Sequence, residues 1–226
     1  MWWIDILFPF SCLSCSTFGS YLCDSCVKKT GYVPLICAVC RKPVMNGRTH
    51  ERCTNDWSPE YSISIWQYKG AMKKAIKTVK YQYAYQIAYS IGRRLTKELL
   101  VYDFLPQKAI LVPIPITNAR FRSRGFNQSE EIAEIVSKKY GWRMETDILL
   151  RSKSATAQVK LRAFSRSQNI RGKFAINKAK KGFFVNNNLP IILLDDVWST
   201  GSTLFEATRV LKEAGSKEVI WITCCR

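Results

Sequence analysis

Histidine is nearly missing from this chain: the 226 residues contain one, His50. Acidic residues are scarce as well, 17 Asp+Glu against 35 Lys+Arg, so the formal charge is +18. No apolar run approaches the ~20 residues of a membrane-crossing helix, which excludes a helical span. The opening segment, Met1 to Pro9, lacks a basic stretch and is interrupted by Asp5 and Pro9. A signal peptide is therefore not expected, and the expected location is the cytoplasm. Peripheral attachment at an inner membrane is a second reading, since a cationic surface also suits acidic lipid. Hydrophobic residues at 47% and charged residues at 23% are ordinary values and exclude wholesale disorder. With so little acid, the positive charge points to polyanionic partners: nucleic acid, phosphorylated metabolites or acidic membrane surfaces.

Sulfur, by contrast, is plentiful and clustered. Seven of the nine cysteines lie between Cys12 and Cys53, with His50 among them; Cys224 and Cys225 are the others. Residues 1–56 read as a small module with little core of its own. Residues 57–226 read as the main domain, in which strand and helix patterns alternate. Ser62 to Trp66 alternates at period two; Ile87, Ile91, Leu95 and Leu99 fall at helical spacing. Ala109 to Pro113 and Ile191 to Leu194 are short apolar strands, and Val219 to Ile222 is a third. Helices are predicted over Ala71–Tyr81, from Asn127, and over Ser202–Ala214, the last ended by Gly215. Strands separated by helices of this length predict an α/β fold with a mainly parallel sheet.

The cysteine spacing is Cys12-x2-Cys15-x7-Cys23-x2-Cys26, then Cys37-x2-Cys40-x9-His50-x2-Cys53. A two-residue gap lets both side chains of a knuckle reach one ion, so eight ligands predict two tetrahedral Zn²⁺ sites. Disulfides would suit an exported chain, and the expected location argues for metal. A histidine in the second set and short loops favour zinc over iron–sulfur. Sequential pairing of the knuckles is simplest; an interleaved pairing satisfies the same spacing.

Ile191-Ile-Leu-Leu-Asp195-Asp196-Val-Trp198-Ser199-Thr200-Gly201-Ser202-Thr203 is the most informative stretch of the main domain. A buried strand delivers two carboxylates to its C-terminal end, where open α/β sheets bind ligands. A hydroxyl-rich turn then enters a helix N-terminus, whose N–H groups and dipole make a phosphate cradle. The carboxylates above it can take ribose hydroxyls, directly or through Mg²⁺. A ribose 5-phosphate meets both demands. The plainer reading is a capped helix after a polar turn. No Gly-x4-Gly-Lys is present there, so the loop is not a P-loop.

This stretch resembles the phosphoribosyl pyrophosphate (PRPP) motif of type I phosphoribosyltransferases. Further stretches narrow the resemblance to ComF-type competence proteins: the double cysteine array, Val112-Pro-Ile-Pro115, Arg124-Gly-Phe-Asn-Gln128, and Leu150-Arg151 followed by Thr156, Gln158, Arg166, Asn169 and Phe174. The resemblance spans essentially the whole chain. It implies a type I phosphoribosyltransferase-like domain after a double zinc ribbon, with Asp195 and Asp196 on the ribose hydroxyls. Ser199, Thr200, Gly201, Ser202 and Thr203 would surround the 5-phosphate, and the loop after Val112 would meet the pyrophosphate. Arg120, Arg122 and Arg124 would neutralise the diphosphate, with Mg²⁺ as cofactor. Trp198 is bulkier than the residue many phosphoribosyltransferases carry there.

Two stretches carry no acid: Arg151–Lys181, with ten Lys+Arg, and Tyr61–Lys97, with eight. Tyrosines 81, 83, 85 and 89 interleave with Lys77, Lys80 and Arg93, as stacking platforms beside phosphate-neutralising cations would. Candidate contacts to single-stranded DNA are Lys77, Lys80, Tyr83, Lys178, Lys180 and Lys181. Solvated charge and rim packing are the plainer readings. Trp2 and Trp3 would pack on the protein or touch a membrane interface, and Cys224 and Cys225 read as core. The leading expectation is a protein of DNA uptake that binds PRPP and handles single-stranded DNA, beside uptake machinery or an anionic membrane surface. A catalytic domain of this kind would displace pyrophosphate from ribose C1. The alternative is a cytosolic phosphoribosyltransferase, of nucleobase salvage or amidophosphoribosyltransferase type, with a structural zinc module. Its base-reading hood would have to come from residues 57–105, because one helix and one strand follow Thr203.

Overall fold

The computed structural model describes residues 10–80, 84–151, 172–180, 182–184 and 187–226. Five strands build one parallel sheet: β1 (Tyr61–Trp66), β2 (Ile110–Pro113), β3 (Arg143–Met144), β6 (Ile191–Val197) and β7 (Val219–Cys225). Their order is β1-β7-β6-β2-β3, and every neighbouring pair is parallel. β4 (Leu149–Arg151) and β5 (Phe174–Ile176) form a separate antiparallel pair. The helices are α1 (Asp24–Thr30), α2 (Gly70–Thr78), α3 (Ala84–Leu99), α4 (Asn118–Arg124), α5 (Gln128–Tyr140) and α6 (Ser202–Glu213).

The apolar run of β6 is explained by burial on both faces. Ile192 and Leu194 join a core with α2, α3 and α5, while Ile191 and Leu193 join one with α6 and the β4–β5 pair. The helical stripe read in the sequence is core: Ile87, Ile91, Leu95 and Leu99 are all buried. α3 and α5 cross closely at Gly92, where a Cβ would come within 2.8 Å of the Ile135 side chain.

The cysteine-rich module borrows its core. Leu22 and Val27 join the core beneath α2 and α3, whereas Ile36 and Ala38 join the one on the opposite face. Between them the module runs along the edge strand β1. Val33 N–H donates to the Ile65 carbonyl at 2.9 Å, and Thr49 N–H to that of Glu60 at 2.9 Å. An open sheet edge is thereby satisfied. Arg94 on α3 reinforces the junction through an ion pair with Asp24 at 2.6 Å and a hydrogen bond to the Leu22 carbonyl.

β3, β4, β5 and α4 were not expected from sequence. β3 is two residues long and β4 and β5 three each, too short for period two to register. α4 buries none of its residues, so it has no apolar stripe to read. It is set instead by its ends: the Thr117 hydroxyl caps Arg120 N–H at 3.3 Å, and Gly125 closes it at φ +80°.

Candidate functional site

The ligand atoms of Cys12, Cys15, Cys23 and Cys26 all lie within 4.8 Å of one another, and so do those of Cys37, Cys40, His50 and Cys53. The knuckles are therefore grouped sequentially rather than interleaved. Cys15 Sγ and Cys23 Sγ are 3.6 Å apart, close to the about 3.8 Å edge of a tetrahedron with Zn–S bonds of about 2.3 Å. In the second set His50 turns Nδ1 toward the cluster, 3.2 Å from Cys40 Sγ. The Ser25 hydroxyl holds the Cys23 thiol down to about 6, favouring the thiolate that a metal needs. Both clusters fit structural zinc.

In the main domain, β6 carries Asp195 and Asp196 to the C-terminal end of the sheet, and α6 begins five residues beyond. Asp196 is buried and Asp195 half-buried. The Ser129 hydroxyl donates to Asp195 Oδ1 at 3.1 Å, and Asp196 N–H to the same oxygen at 2.9 Å. Gln128 Nε2 donates to Asp196 Oδ2 at 3.3 Å, and Lys80 Nζ pairs with that oxygen at 3.3 Å. Burial, then the Asp196 charge beside it, push the Asp195 carboxyl up to about 7. Two adjacent acids with one lysine between them are short of positive charge. A divalent cation fits that donor set.

The turn after β6 enters α6 through a glycine. Gly201 has φ +80°, and a Cβ there would lie 2.7 Å from Trp198 Nε1, so glycine is required on both counts. Thr200 Oγ1 is hydrogen-bonded to Ser202 Oγ at 2.8 Å, and Phe205 N–H donates to the Gly201 carbonyl at 2.8 Å. The bulk of Trp198 goes into the core, 2% exposed and edge-on to Trp221 at 5.5 Å.

The arginines after Pro115 have different local surroundings. Arg124 donates to Gln128 Oε1 at 3.1 Å and so reaches Asp196 through Gln128. Arg120, one helical turn earlier, lies close enough to Arg151 to lower its pKa, after burial as the larger cause. Arg122, two positions from either, projects from the other side of α4. Arg151 itself donates to the Pro115 carbonyl at 3.3 Å.

The candidate DNA lysines also separate. Lys77 and Lys178 are exposed. Lys80 turns inward to Asp196, and Lys180 pairs with Glu145 at 3.0 Å and Asp147 at 3.3 Å. An acid-free stretch of sequence thus meets acids from elsewhere in the fold, which lowers its effective charge. Tyr83 and Lys181, with Trp2, Trp3, Tyr81, Thr156, Gln158, Arg166 and Asn169, lie outside the described residues. Two contributors carry no sequence motif of their own: Ser129 on Asp195, and Arg41, whose Nη2 donates to the Thr200 carbonyl at 2.6 Å.

A parallel sheet that ends in an acidic pair, a glycine turn and a helix N-terminus, preceded by two cysteine clusters that fit zinc, defines an α/β domain behind a zinc ribbon. Residues 3–54 match the double zinc ribbon domain family. The chain is 27% identical over 228 residues to Competence protein F of Haemophilus influenzae, covering 95% of this chain and 96% of that one. It is 26% identical over 208 residues to DNA utilization protein YhgH of Salmonella typhi, covering 90% and 83%. Competence protein ComFC of Streptococcus pneumoniae is 26% identical over 160 residues, 69% of this chain and 64% of that one. Along most of its length the chain is thus similar to proteins named for competence and DNA utilisation. Among solved structures, a glutamine PRPP amidotransferase from B. subtilis aligns at TM-score 0.43 and 17% identity, over 66% of this chain and 30% of the enzyme. An allosteric regulatory enzyme of purine biosynthesis aligns at 0.40 and 18%, over 61% and 26%. Among the described residues no helix is long and apolar enough to cross a membrane.

Proposed function

We propose that this chain is a DNA-uptake or DNA-utilisation protein whose main domain binds PRPP with Mg²⁺ and whose basic surface takes single-stranded DNA. The observation that carries the ligand reading is the placement of Asp195 and Asp196 at the sheet end, directly before the Gly201 turn and the α6 N-terminus. Asp195 and Asp196 hold the ribose, and Ser199 to Thr203 take the 5-phosphate. Bound Mg²⁺ supplies charge neutralisation at the pyrophosphate. Arg120, Arg122 and Arg124 on α4 neutralise the same group.

The acidic pair makes the reading pH-sensitive. Because the folded carboxyl of Asp195 is raised, its stabilising contribution is full below about pH 4 and lost as pH rises through about 7. Mg²⁺ needs both carboxylates charged. Mg²⁺ with PRPP should therefore raise the melting temperature more at about pH 8 than at about pH 6. A larger rise at the lower pH would show that these carboxylates are not the ligands. Calorimetric titration of PRPP in the presence of Mg²⁺ tests the reading itself, and an absence of heat of binding would overturn it.

Support for the DNA reading comes from a cleft of about 590 Å³ between the first cysteine cluster and α3. Phe10 and Tyr21 stack on one wall at 5.3 Å, and Tyr85 and Tyr89 stack on the other at 6.4 Å. Arg93 lies over Tyr89 at 5.7 Å, and Lys97 completes the rim. Aromatic faces beside cations suit unpaired bases and their phosphates. Tyr89→Ala should weaken oligonucleotide binding by roughly 1–3 kcal/mol at every salt concentration. Arg93→Ala should instead flatten the log–log salt slope by about 0.7. Fluorescence titration of a labelled oligonucleotide at several salt concentrations reads both. No binding at low salt would leave the salvage-type enzyme as the better reading.

A further inference from the structure

The two cysteine clusters begin with the same turn. In the first, Ser16 N–H donates to the Cys12 carbonyl at 2.8 Å, and Cys12 N–H to that of Thr17 at 2.8 Å. In the second, Arg41 N–H donates to the Cys37 carbonyl at 2.9 Å, and Cys37 N–H to that of Lys42 at 2.9 Å. The residue after the second cysteine is left-handed in both, Ser16 at φ +63° and Arg41 at φ +60°. Such a backbone is uncommon outside glycine, so the turn dictates where this one side chain leaves the module. The first cluster places a serine there. The second places an arginine.

Arg41 spans 158 residues of sequence to reach the turn after β6. Its Nη2 donates to the Thr200 carbonyl at 2.6 Å and to the Ser199 carbonyl at 3.3 Å. A peptide unit is planar, and its C=O and N–H point in opposite directions. Holding the carbonyls of Ser199 and Thr200 therefore aims the N–H groups of Thr200 and Gly201 away from Arg41. Those are N–H groups that a phosphate cradle uses, and a cation on the carbonyl side also offsets the partial negative charge there.

We propose that Arg41 is a positioning residue of the phosphate cradle, and that the second metal cluster sets the affinity of that cradle through it. The proposal rests on the reading of residues 199–203 as a phosphate site. The first cluster has no such arm, since Ser16 is too short to reach across.

Full-length protein is titrated with ribose 5-phosphate, PRPP and inorganic pyrophosphate in the presence of Mg²⁺, with zinc counted by elemental analysis. Arg41→Ala should weaken ribose 5-phosphate and PRPP by the same factor, roughly tenfold, with zinc content unchanged. Pyrophosphate binding should not move, which a general loss of folding would not reproduce. Arg41→Lys should restore part of the loss, and Ser16→Ala should change nothing. Cys40→Ser should lose one zinc and about as much ribose 5-phosphate affinity as Arg41→Ala. The double variant should lose no more than either single one, because both break the same link. Unchanged ribose 5-phosphate affinity in Arg41→Ala overturns the positioning role. Additive losses in the double variant overturn the metal link. No binding of ribose 5-phosphate or PRPP by the unaltered protein overturns the phosphate-site reading instead, whatever Arg41 does.

Discussion

Changing Asp195 and Asp196 together to asparagine should abolish the rise in melting temperature produced by PRPP with Mg²⁺. A ligand at a hundredfold excess over its dissociation constant stabilises the native state by about 2.7 kcal/mol. For a chain of this size that is a rise of roughly 5–10 °C. Asparagine keeps the shape of the pair, and its amide oxygen still accepts from Ser129 and Gln128, the donors now on Asp195 and Asp196. It removes the charge that a hard dication requires. The ligand-free variant should remain folded, because the repulsion that helps raise the Asp195 pKa is removed with the charges. Differential scanning fluorimetry with and without ligand reads both quantities. Equal rises in the unaltered protein and the double variant would place the ligand elsewhere.

Purified protein should carry two zinc ions per chain, and either Cys15→Ser or Cys40→Ser should leave one. Structural zinc supplies much of the folding free energy of a small module, apparent values for zinc-finger peptides being about 10–16 kcal/mol. This module has little core to fall back on, because Leu22 and Val27 are buried against α2 and α3 rather than within it. Loss of one site should cost several kcal/mol, or roughly 5–10 °C. The damage should differ by site. Unloading the first should loosen the Arg94–Asp24 junction with α3, and unloading the second should loosen the Arg41 contact with the turn after β6. Hydrogen exchange at α3 and at residues 199–203 would separate the two. Protein without metal, with its cysteines paired as disulfides, would overturn both assignments.

Much of this was legible in the linear chain because the signals are local. Cysteines at x2 spacing, apolar runs of strand length and an acidic pair before a glycine turn each need only a dozen neighbouring residues to be read. The parallel sheet followed from the alternation of those runs with helices, and β6 and α6 lie where their sequence places them. Local reading failed where an element draws its stability from its ends or from tertiary partners. α4 has no buried face, and β3, β4 and β5 are too short to show a period. The three arginines after Pro115 look equivalent in sequence, and only the fold gives Arg124 a partner in Gln128 and sets Arg120 near Arg151.

The residue types, their spacing and the excess of positive charge thus determined the two metal clusters, the fold class and the candidate phosphate turn. Tertiary structure alone decided which charges meet. Lys80 and Lys180 sit in acid-free stretches, yet the fold brings Asp196 to the first and Glu145 and Asp147 to the second. It likewise sends Trp198 into the core and lays Arg41 against carbonyls far away in sequence. The physical reason is range. Knuckles, turns and strand propensity depend on adjacent residues, whereas an ion pair or a carbonyl clamp depends on distance in space, which the chain sets only once the sheet has closed.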